Sequence, residues 1–562
     1  MYIKWLAVSG LTLILGLPCA LAAGKAAIAS AHPLATEAGF EILDQGGNVF
    51  DAAVAVAAAL AVVEPAGSGL GGGGFWLLHT AGNNRDIMID GREKAPLAAH
   101  KDMFLDTEGK AIPQRAREGA LSAAIPGLPA ALAHVSEHYG KLPLTTVLAP
   151  AIRYARQGFA VSAHYRKFLE FRKTGMQAFP EAAAIFLHDG EIPPLHSILR
   201  QPDLAATLER LAESGRDGFY QGKVAEQLVA GVKQAGGIWT REDLAQYHVV
   251  ERQPVTGEYR GMKLTSAALP SSGGIILIEV LNILSAYDFS QLDVVTRNHL
   301  IIEAFRRAYH DRALLLGDAD FIEVPVKQLL SPDYAAGLRS SIRFDKALPS
   351  AALSGENTDG EEGSNTSHYS IMDDEGNRVA ATVSINFAFG SGLVPPGTGV
   401  LLNNHMDDFA IKTGAANGYG LVGGFANAVA PGKRMLSSMT PVFLESDTLV
   451  AALGTPGGSR IPSMVTLAAL AMAAGETGPD AWVSRPRFHH QFLPDVVEYE
   501  TAAFDAAMLE GLSAKGHQLK AVRWEYGNMQ AVAFSKDDKV LRAASDPRGE
   551  GRGLVRTINH EH

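Results

Sequence analysis

The sequence predicts a layered α+β fold, with strands flanked by helices on both sides. Residues 120–340 are patterned mainly as helices, interrupted by short strands such as residues 263–268. After residue 366 apolar and polar residues alternate, which indicates strands, and residues 460–474 then return to a helical pattern. A chain of 562 residues that is 47% hydrophobic and 19% charged has the composition of a globular protein with large cores.

Helices are the main element predicted before residue 340. We predict helices at residues 34–45, 50–63, 129–138, 204–214, 224–235 and 298–315, and a later one at residues 460–474. The helix at residues 50–63 has seven alanines and five valines or leucines. Because it is apolar nearly all round, we expect it to lie inside a large domain.

A hairpin is the clearest strand signal in the chain. Residues 368–372 and 379–385 alternate in polarity on either side of a polar turn at residues 373–377. We predict further strands at residues 75–79, 263–268, 399–402 and 449–453.

Residues 1–22 have the features of a signal peptide. Lys4 precedes an apolar run at residues 5–17, and Ala-Leu-Ala at residues 20–22 is a suitable cleavage site. The run is shorter than the ~20 residues that a membrane-spanning helix needs. Cleavage after residue 22 would remove Cys19, the only cysteine, which excludes cysteine nucleophiles and thiolate metal sites. We therefore expect a periplasmic or secreted protein.

Charge and hydropathy give no support to a nucleic-acid partner or a membrane partner. The formal net charge is −11, and no lysine- or arginine-rich run is present, so a nucleic-acid partner has no support. No other long apolar stretch follows the first 22 residues, so no membrane partner is expected.

Thr366 stands where a polar run ends and the first strand of the hairpin begins. Residues 354–364 contain no aliphatic side chain, so they are not expected to contribute to a core. A hydroxyl at such a junction is well placed to cut its own chain, and the released threonine then has an α-amine that can act as general base. From residues 366–370 alone, a linker threonine without a function is the simpler interpretation.

Two glycine clusters point to different roles. Gly69, Gly71 and Gly74 fit the G-x-G-x-x-G pattern, but a helix precedes them and a strand follows, the reverse of a dinucleotide site. Close backbone packing near a pocket is the preferred interpretation. Gly457 and Gly458 precede a predicted helix, where bare N–H groups can stabilise an oxyanion, although a structural turn explains them equally well.

No metal site is predicted. His489 and His490 are adjacent, but no carboxylate or further histidine stands at ligand spacing, so we interpret them as core or surface histidines. Arg92, Asp408 and the Ser437–Ser438 pair are polar residues in apolar surroundings. Each of these, taken alone, is typical of a cap, a turn or a salt bridge.

Together, these residues resemble those of γ-glutamyltranspeptidases. The matching motifs are Thr-Ser-His-Tyr-Ser at residues 366–370, Leu-Asn-Asn-His-Met-Asp-Asp-Phe at 402–409, Leu-Ser-Ser-Met at 436–439, Pro-Gly-Gly-Ser-Arg at 456–460 and Asp-Gly-Arg-Glu at 90–93. The resemblance implies an N-terminal-nucleophile hydrolase with a four-layer αββα sandwich. It also implies a precursor that cuts itself between Asn365 and Thr366, giving a large subunit (residues 23–365) and a small subunit (residues 366–562) that stay paired.

The resemblance assigns a role to each site residue. Thr366 would be the nucleophile for self-cleavage and turnover, and Ser384, where the family has a second threonine, would hydrogen-bond to it. The other implied roles are an oxyanion hole at Gly457 and Gly458, α-carboxylate binding by Arg92, Ser437 and Ser438, and α-ammonium binding by Asn386 and Asp408. The implied reaction transfers the γ-glutamyl group of glutathione or related donors to water or to amino acid and peptide acceptors. It requires no metal or organic cofactor.

His405 departs from the family pattern, because relatives usually carry glutamine or glutamate there. A neutral imidazole accepts a hydrogen bond from the donor's ammonium, whereas an imidazolium repels it. Donor affinity is therefore expected to fall in acid. Residues 412–433, which include Tyr419, resemble the lid loop that bacterial relatives place over the glutamate pocket.

Two rival functions remain open at this point. An acylase of the same fold that cleaves glutaryl or other side-chain amides would need no ammonium anchor, so Asp408 and Asn386 argue against it and His405 keeps it open. A non-catalytic binding protein would have an uncut chain and an inessential Thr366.

Overall fold

Two β-sheets stacked face to face form the centre of the fold. The computed structural model describes residues 24–353 and 366–558, so the predicted signal peptide and Asn365 lie outside the described residues. The strands are β1 Gly24–Ser30, β2 Gly73–Thr80, β3 Arg85–Gly91, β4 Phe159–Ala160, β5 Ile198–Leu199, β6 Val250–Arg252, β7 Val255–Tyr259, β8 Met262–Ser266, β9 Ser367–Asp373, β10 Arg378–Ser384, β11 Val442–Glu445, β12 Leu449–Gly454, β13 Phe488–His489, β14 Val497–Tyr499, β15 Leu519–Ala521, β16 Gln530–Ser535, β17 Val540–Ser545 and β18 Arg552–Ile558.

The two sheets contain strands from both sides of residue 366. The seven-stranded sheet has the order β18-β1-β9-β10-β2-β3-β6, and the six-stranded sheet has the order β17-β16-β12-β11-β8-β7. In the first sheet β9 pairs with β1 and β10 pairs with β2, and in the second β11 pairs with β8. The parts of the chain before and after residue 366 are therefore hydrogen-bonded together in both sheets.

Helices cover the outer faces of both sheets. They are α1 Pro33–Asp44, α2 Val49–Val63, α3 Pro113–Arg117, α4 Leu128–Tyr139, α5 Leu144–Val147, α6 Ala149–Gln157, α7 Ala163–Gln177, α8 Pro180–Phe186, α9 Pro202–Ser214, α10 Asp217–Tyr220, α11 Gly222–Gln234, α12 Arg241–Ala245, α13 Gly273–Leu284, α14 Val294–Leu315, α15 Val326–Leu329, α16 Pro332–Arg339, α17 Ile461–Ala473, α18 Pro479–Ser484 and α19 Ala506–Ala514. Helices α1, α2 and α4 pack on the seven-stranded sheet, and α13, α17 and α18 pack on the six-stranded sheet. The predicted α+β class and the four-layer αββα arrangement are confirmed.

Alternation along the strands separates the core between the sheets from the core under the helices. On β2, Phe75 and Leu77 belong to the cluster between the sheets, whereas Trp76 and Leu78 belong to the cluster under α1 and α2. On β9, Tyr369 and Ile371 lie under the helices and Met372 lies between the sheets. Because successive side chains point to opposite faces, the even-numbered residues of β9 face the second sheet. Thr366, which is also even-numbered and directly precedes β9, lies on the same side.

Most of the predicted elements are confirmed, and one strand is wrong. The seven predicted helices correspond to α1, α2, α4, α9, α11, α14 and α17, and the hairpin corresponds to β9 and β10. Residues 399–402 do not form a strand; only Leu402 makes an isolated bridge, to Gly71. The cause is the backbone at Gly397 and Gly399, whose positive φ values of 72° and 64° turn the chain away from the extended conformation.

Among the described residues, no helix combines the length and the apolar character needed to cross a bilayer.

Candidate active site

Strand ends from both sheets converge on one edge of the sandwich. In the first sheet β9 begins at Ser367, β10 ends at Ser384 and β3 ends at Gly91. In the second sheet β11 begins at Val442 and β12 ends at Gly454. Because these neighbours are antiparallel, the start of one strand lies beside the end of the next, and the residues just beyond them surround a common space.

The register of the β9–β10 hairpin brings Thr366 and Ser384 together. Ser367 pairs with Val383, so the next position places Thr366 opposite Ser384. Their hydroxyl oxygens are 3.1 Å apart, and both residues are buried. The backbone N–H of Asn386 donates to Oγ of Ser384 over 2.8 Å, which fixes the serine rotamer despite its missing methyl group.

Glycines before β2 let the backbone approach the hairpin closely. A Cβ atom on Gly72 would lie 2.0 Å from the carbonyl oxygen of Ser384, and one on Gly71 would lie 2.1 Å from that of Leu401. No side chain fits at these distances. The interpretation of this glycine cluster as a close packing site is therefore confirmed.

A small polar cavity collects the predicted site residues. Its walls include nine of them, namely Arg92, Thr366, Ser384, Asn386, His405, Asp408, Ser437, Ser438 and Gly458. Gly457 is not among the lining residues, although it adjoins Gly458. The free space is about 20 Å³, room for about one water molecule. This volume is too small for an amino acid in the present conformation.

Charged groups that match the two ends of an amino acid face each other in the cavity. Arg92 is fully buried at the end of β3, and its Nη2 donates to Oδ2 of Asp408. Its Nη1 lies 3.6 Å from Glu93 and donates no hydrogen bond within the described residues. A buried ion pair is stable only while both partners are present. A zwitterionic ligand can replace this internal pair, with its carboxylate on Arg92 and its ammonium on Asp408.

His405 has a neighbour that its place in the sequence does not reveal. Its Nδ1 lies 2.8 Å from Oε1 of the fully buried Glu93, in a geometry not aligned for a hydrogen bond. An imidazolium at His405 would therefore sit beside a carboxylate. This contact reduces the repulsion of a donor ammonium that was expected from the sequence.

Asn386 makes the turn that follows β10. Its φ is 78°, in the left-handed region, where asparagine is one of the few residues tolerated besides glycine. The side-chain Nδ2 donates to the carbonyl oxygen of Asn404 over 3.0 Å. The two motifs that carry Asn386 and residues 404–408 are thereby held against each other.

Gly457 and Gly458 form the turn between β12 and α17. Their φ values are 145° and 56°, and neither backbone N–H donates a hydrogen bond within the described part of the chain. A Cβ atom on Gly458 would lie 2.3 Å from the ring of Tyr419, so only glycine allows the ring to pack there. Tyr419 also stacks on Phe387, with ring centroids 4.7 Å apart. The predicted lid residue thus covers the predicted oxyanion site.

Ser437 and Ser438 are held by residues that precede residue 353. The N–H and Oγ of Ser272 both donate to the carbonyl oxygen of Ser437, over 2.8 Å and 2.7 Å. Arg312, on α14, lines the same cavity and lies 3.4 Å from Oγ of Ser438. Burial lowers the pKa of the Arg312 guanidinium to about 10, so it stays cationic at neutral pH. Sequence reasoning missed this arginine, because a single arginine in a long helix has no distinguishing pattern.

A buried carboxyl group adjoins the residue after Thr366. Oγ of Ser367 contacts Oε2 of Glu64, at the end of α2. Burial raises the pKa of Glu64 to about 8. Burial thus favours the uncharged form of this carboxyl group, beside the hydroxyl of Ser367.

A second, larger cavity also borders Thr366. Its volume is about 550 Å³, and Thr366 lines both cavities. Glu64, Phe387 and Arg460 are among its other walls.

The paired histidines belong to the core. Nδ1 of His489 is 2.6 Å from Oγ of Ser463, and Nε2 of His490 is 3.1 Å from Oδ1 of Asp495. Across residues 24–353 and 366–558, no three acidic, histidine or cysteine side chains form a group that could hold a metal ion.

Comparison with known proteins identifies relatives of this chain. The sequence profile of the family described as Gamma-glutamyltranspeptidase matches residues 35–555. A glutathione hydrolase proenzyme of Escherichia coli (strain K12) is 40% identical over 528 residues, which are 93% of this chain and 90% of the relative. One of Pseudomonas aeruginosa is 40% identical over 559 residues, 97% of this chain and 98% of the relative. A solved cephalosporin acylase from Bacillus halodurans matches with a TM-score of 0.83 at 29% identity, covering 96% of this chain and 97% of the acylase.

The Arg92–Asp408 pair makes a prediction about stability. Asp408→Asn leaves the fully buried Arg92 without its nearest carboxylate, so we expect a loss of about 3 kcal/mol, seen as a lower apparent unfolding temperature. Asp538→Asn is the matched control, because its pair with Arg542 is exposed to solvent and contributes little to stability. Equal unfolding temperatures for the two variants would contradict the importance of the buried pair.

Proposed function

The chain belongs to the γ-glutamyltranspeptidase family, as its motifs predicted, and from this premise we propose that it is a self-processing γ-glutamyl transferase and hydrolase. It cleaves the γ-glutamyl amide of glutathione and related compounds and passes the acyl group to water or to amino acid and peptide acceptors. The observation that carries the proposal is the small cavity in which Thr366 faces Arg92 and Asp408. A nucleophile is combined there with charges for both ends of an amino acid.

Charge matching favours a γ-glutamyl group over other acyl groups. The α-carboxylate of the donor binds Arg92, Ser437 and Ser438, and its α-ammonium binds Asp408 and Asn386. A guanidinium can hold a carboxylate through two parallel charge-assisted hydrogen bonds, which makes it a strong and specific anchor. A glutaryl group has no ammonium, so it would separate Asp408 from Arg92 without replacing the lost charge. The acylase alternative is therefore the weaker of the two.

Thr366 performs both self-cleavage and turnover in this mechanism. In the precursor its hydroxyl attacks the carbonyl carbon of Asn365, the acyl group moves from nitrogen to oxygen, and water hydrolyses the ester. This step separates residues 23–365 from residues 366–562 and frees the α-amine of Thr366. The amine is thus available as a base.

Turnover proceeds through an ester of Thr366. Its Oγ attacks the γ-carbonyl carbon of the donor while the α-amine takes the hydroxyl proton, and the oxyanion forms against the N–H groups of Gly457 and Gly458. The amine of the donor leaves with that proton. Water or an acceptor amine then attacks the ester. No step requires a metal or an organic cofactor.

The compartment is part of the same proposal. Residues 1–22 resemble a signal peptide, so we expect the mature protein in the periplasm or outside the cell. The absence of cysteine after residue 22 suits an oxidising compartment.

Self-cleavage is tested by the chains that the purified protein contains. We expect two chains, residues 23–365 and 366–562, with N-terminal sequencing of the smaller giving Thr-Ser-His-Tyr-Ser. Thr366→Ala should remain uncut, whereas Thr366→Ser keeps the hydroxyl and should process more slowly. An uncut wild-type chain that turns over γ-glutamyl-p-nitroanilide would rule out an N-terminal nucleophile.

The substitution of Arg92 by lysine tests whether Arg92 binds the donor. Arg92→Lys keeps the charge but loses the planar fork. Losing a charge-assisted hydrogen bond costs about 1.5–3 kcal/mol, so the donor KM should rise about tenfold or more. The measurement is steady-state kinetics on correctly processed protein. An unchanged donor KM would remove Arg92 from the carboxylate site.

Acyl-group preference is tested with paired γ-glutamyl and glutaryl p-nitroanilides. The wild type should prefer the γ-glutamyl donor, because only that donor supplies an ammonium to Asp408. His405→Gln also offers a hydrogen-bond acceptor, so kcat/KM for the γ-glutamyl donor should change by less than about threefold. A wild-type preference for the glutaryl substrate that His405→Gln reverses would instead establish the acylase.

A further inference from the structure

Thr366 stands between two cavities of very different size and chemistry. The smaller one, about 20 Å³, carries the amino acid anchors, and the larger one is about 550 Å³. When Thr366 attacks an amide, the acyl part and the amine part lie on opposite sides of its hydroxyl. Under the proposed function, on which this inference rests, the γ-glutamyl part occupies the small cavity. The larger cavity, here called the amine groove, then receives the amine part.

Most cations of the amine groove are already neutralised. Four arginines have carboxylate partners: Arg117 with Asp407 at 3.1 Å, Arg172 with Glu118 at 3.5 Å, Arg460 with Glu498 at 2.6 Å and Arg548 with Glu500 at 2.7 Å. Lys167 and Arg523 are different, since no carboxylate of the described residues lies within 4.0 Å of either cation. Burial lowers the pKa of the nearby His164 to about 4, so it is neutral and adds no charge.

The two unpaired cations sit at an aromatic wall. Nζ of Lys167 lies 5.3 Å from the ring centre of Trp524, and the guanidinium of Arg523 lies 5.1 Å from the same ring. Trp524 is 49% exposed, and Phe171 on the same groove is 62% exposed. Large aromatic side chains at such exposure offer apolar surface to a ligand.

We propose that the amine groove binds short peptide acceptors through their terminal carboxylate, which Lys167 and Arg523 hold, and through an apolar or aromatic side chain, which packs on Trp524 and Phe171. Two cations without internal partners attract a carboxylate and not a second amine. The amino end of the peptide then points toward Thr366. A groove of this volume accommodates a dipeptide, which is larger than the single amino acid that the small cavity is built for.

The transfer step balances without any further reactant. The neutral amine nitrogen of the peptide attacks the ester carbonyl of γ-glutamyl-Thr366 and forms a C–N bond. The bond from the carbonyl carbon to Oγ of Thr366 then breaks. The proton lost by the amine passes through the α-amine of Thr366 to Oγ, and a γ-glutamyl peptide is released.

The test compares glycyl-phenylalanine with its C-terminal amide as acceptors, using the processed enzyme and γ-glutamyl-p-nitroanilide. The readout is the ratio of γ-glutamyl peptide to free glutamate, because both products arise from one acyl-enzyme and the rate of acylation cancels. Because only the unprotonated amine is nucleophilic, the two acceptors are compared at equal concentrations of their neutral amine form. We expect the acid to give a ratio about tenfold higher than the amide, the effect of one charge-assisted contact.

The double variant Lys167→Gln/Arg523→Gln should abolish this difference, and Lys167→Arg/Arg523→Lys should preserve it. Lys223→Gln/Arg210→Gln is the matched control, since neither residue lines the groove. Equal ratios for acid and amide in the wild type, or a difference that survives the double glutamine variant, would overturn the inference. A wild type that releases neither product would instead refute the proposed function.

Discussion

The pairing of β9 with β10 is the constraint on which the site depends. Their register places Thr366 opposite Ser384, with the two hydroxyl oxygens 3.1 Å apart. A slip of one residue would turn every side chain of β9 to the other face and move Thr366 under the helices. The slip is opposed on both faces, because Tyr369 and Ile371 fill the core under α2 and Met372 fills the core between the sheets. Packing along the whole strand thus fixes the position of one hydroxyl at its end.

Both sheets place charged and polar groups around the hydroxyl of Thr366. Arg92 leaves the end of β3 in the same sheet, while Ser437, Ser438 and Gly458 come from the facing sheet. Nη2 of Arg92 donates to Asp408, and Tyr419 packs on Gly458. The two charges that would bind an amino acid are therefore paired with each other inside the protein. A γ-glutamyl group replaces each half of the pair with a group of the same sign, so its entry costs little electrostatic energy.

The extent of sequence prediction differs between the fold and the site. Periodicity was enough for α2 and for the β9–β10 hairpin, because local patterns determine them. It failed at residues 399–402, where an apolar run suggested a strand but positive φ angles at Gly397 and Gly399 turn the chain. Nine residues of the small cavity were predicted because they lie in motifs. Three contacts were not: Glu93 with His405, Arg312 with Ser438, and Lys167 with Trp524. Each joins residues that are distant in the chain, and only the assembled sheets and helices bring them together.

In the proposed mechanism Thr366 is the nucleophile that accepts the acyl group, and it lies between the small cavity and the amine groove. Rapid mixing with a γ-glutamyl donor, acid quenching and mass spectrometry of the peptide that begins at residue 366 test it directly. If Thr366 is the nucleophile, this peptide should show a transient mass increase equal to one γ-glutamyl acyl group, located on Thr366. The increase should disappear faster when a peptide acceptor is added. An acyl group on a different residue, or turnover without any acylated peptide under conditions that trap esters, would contradict it.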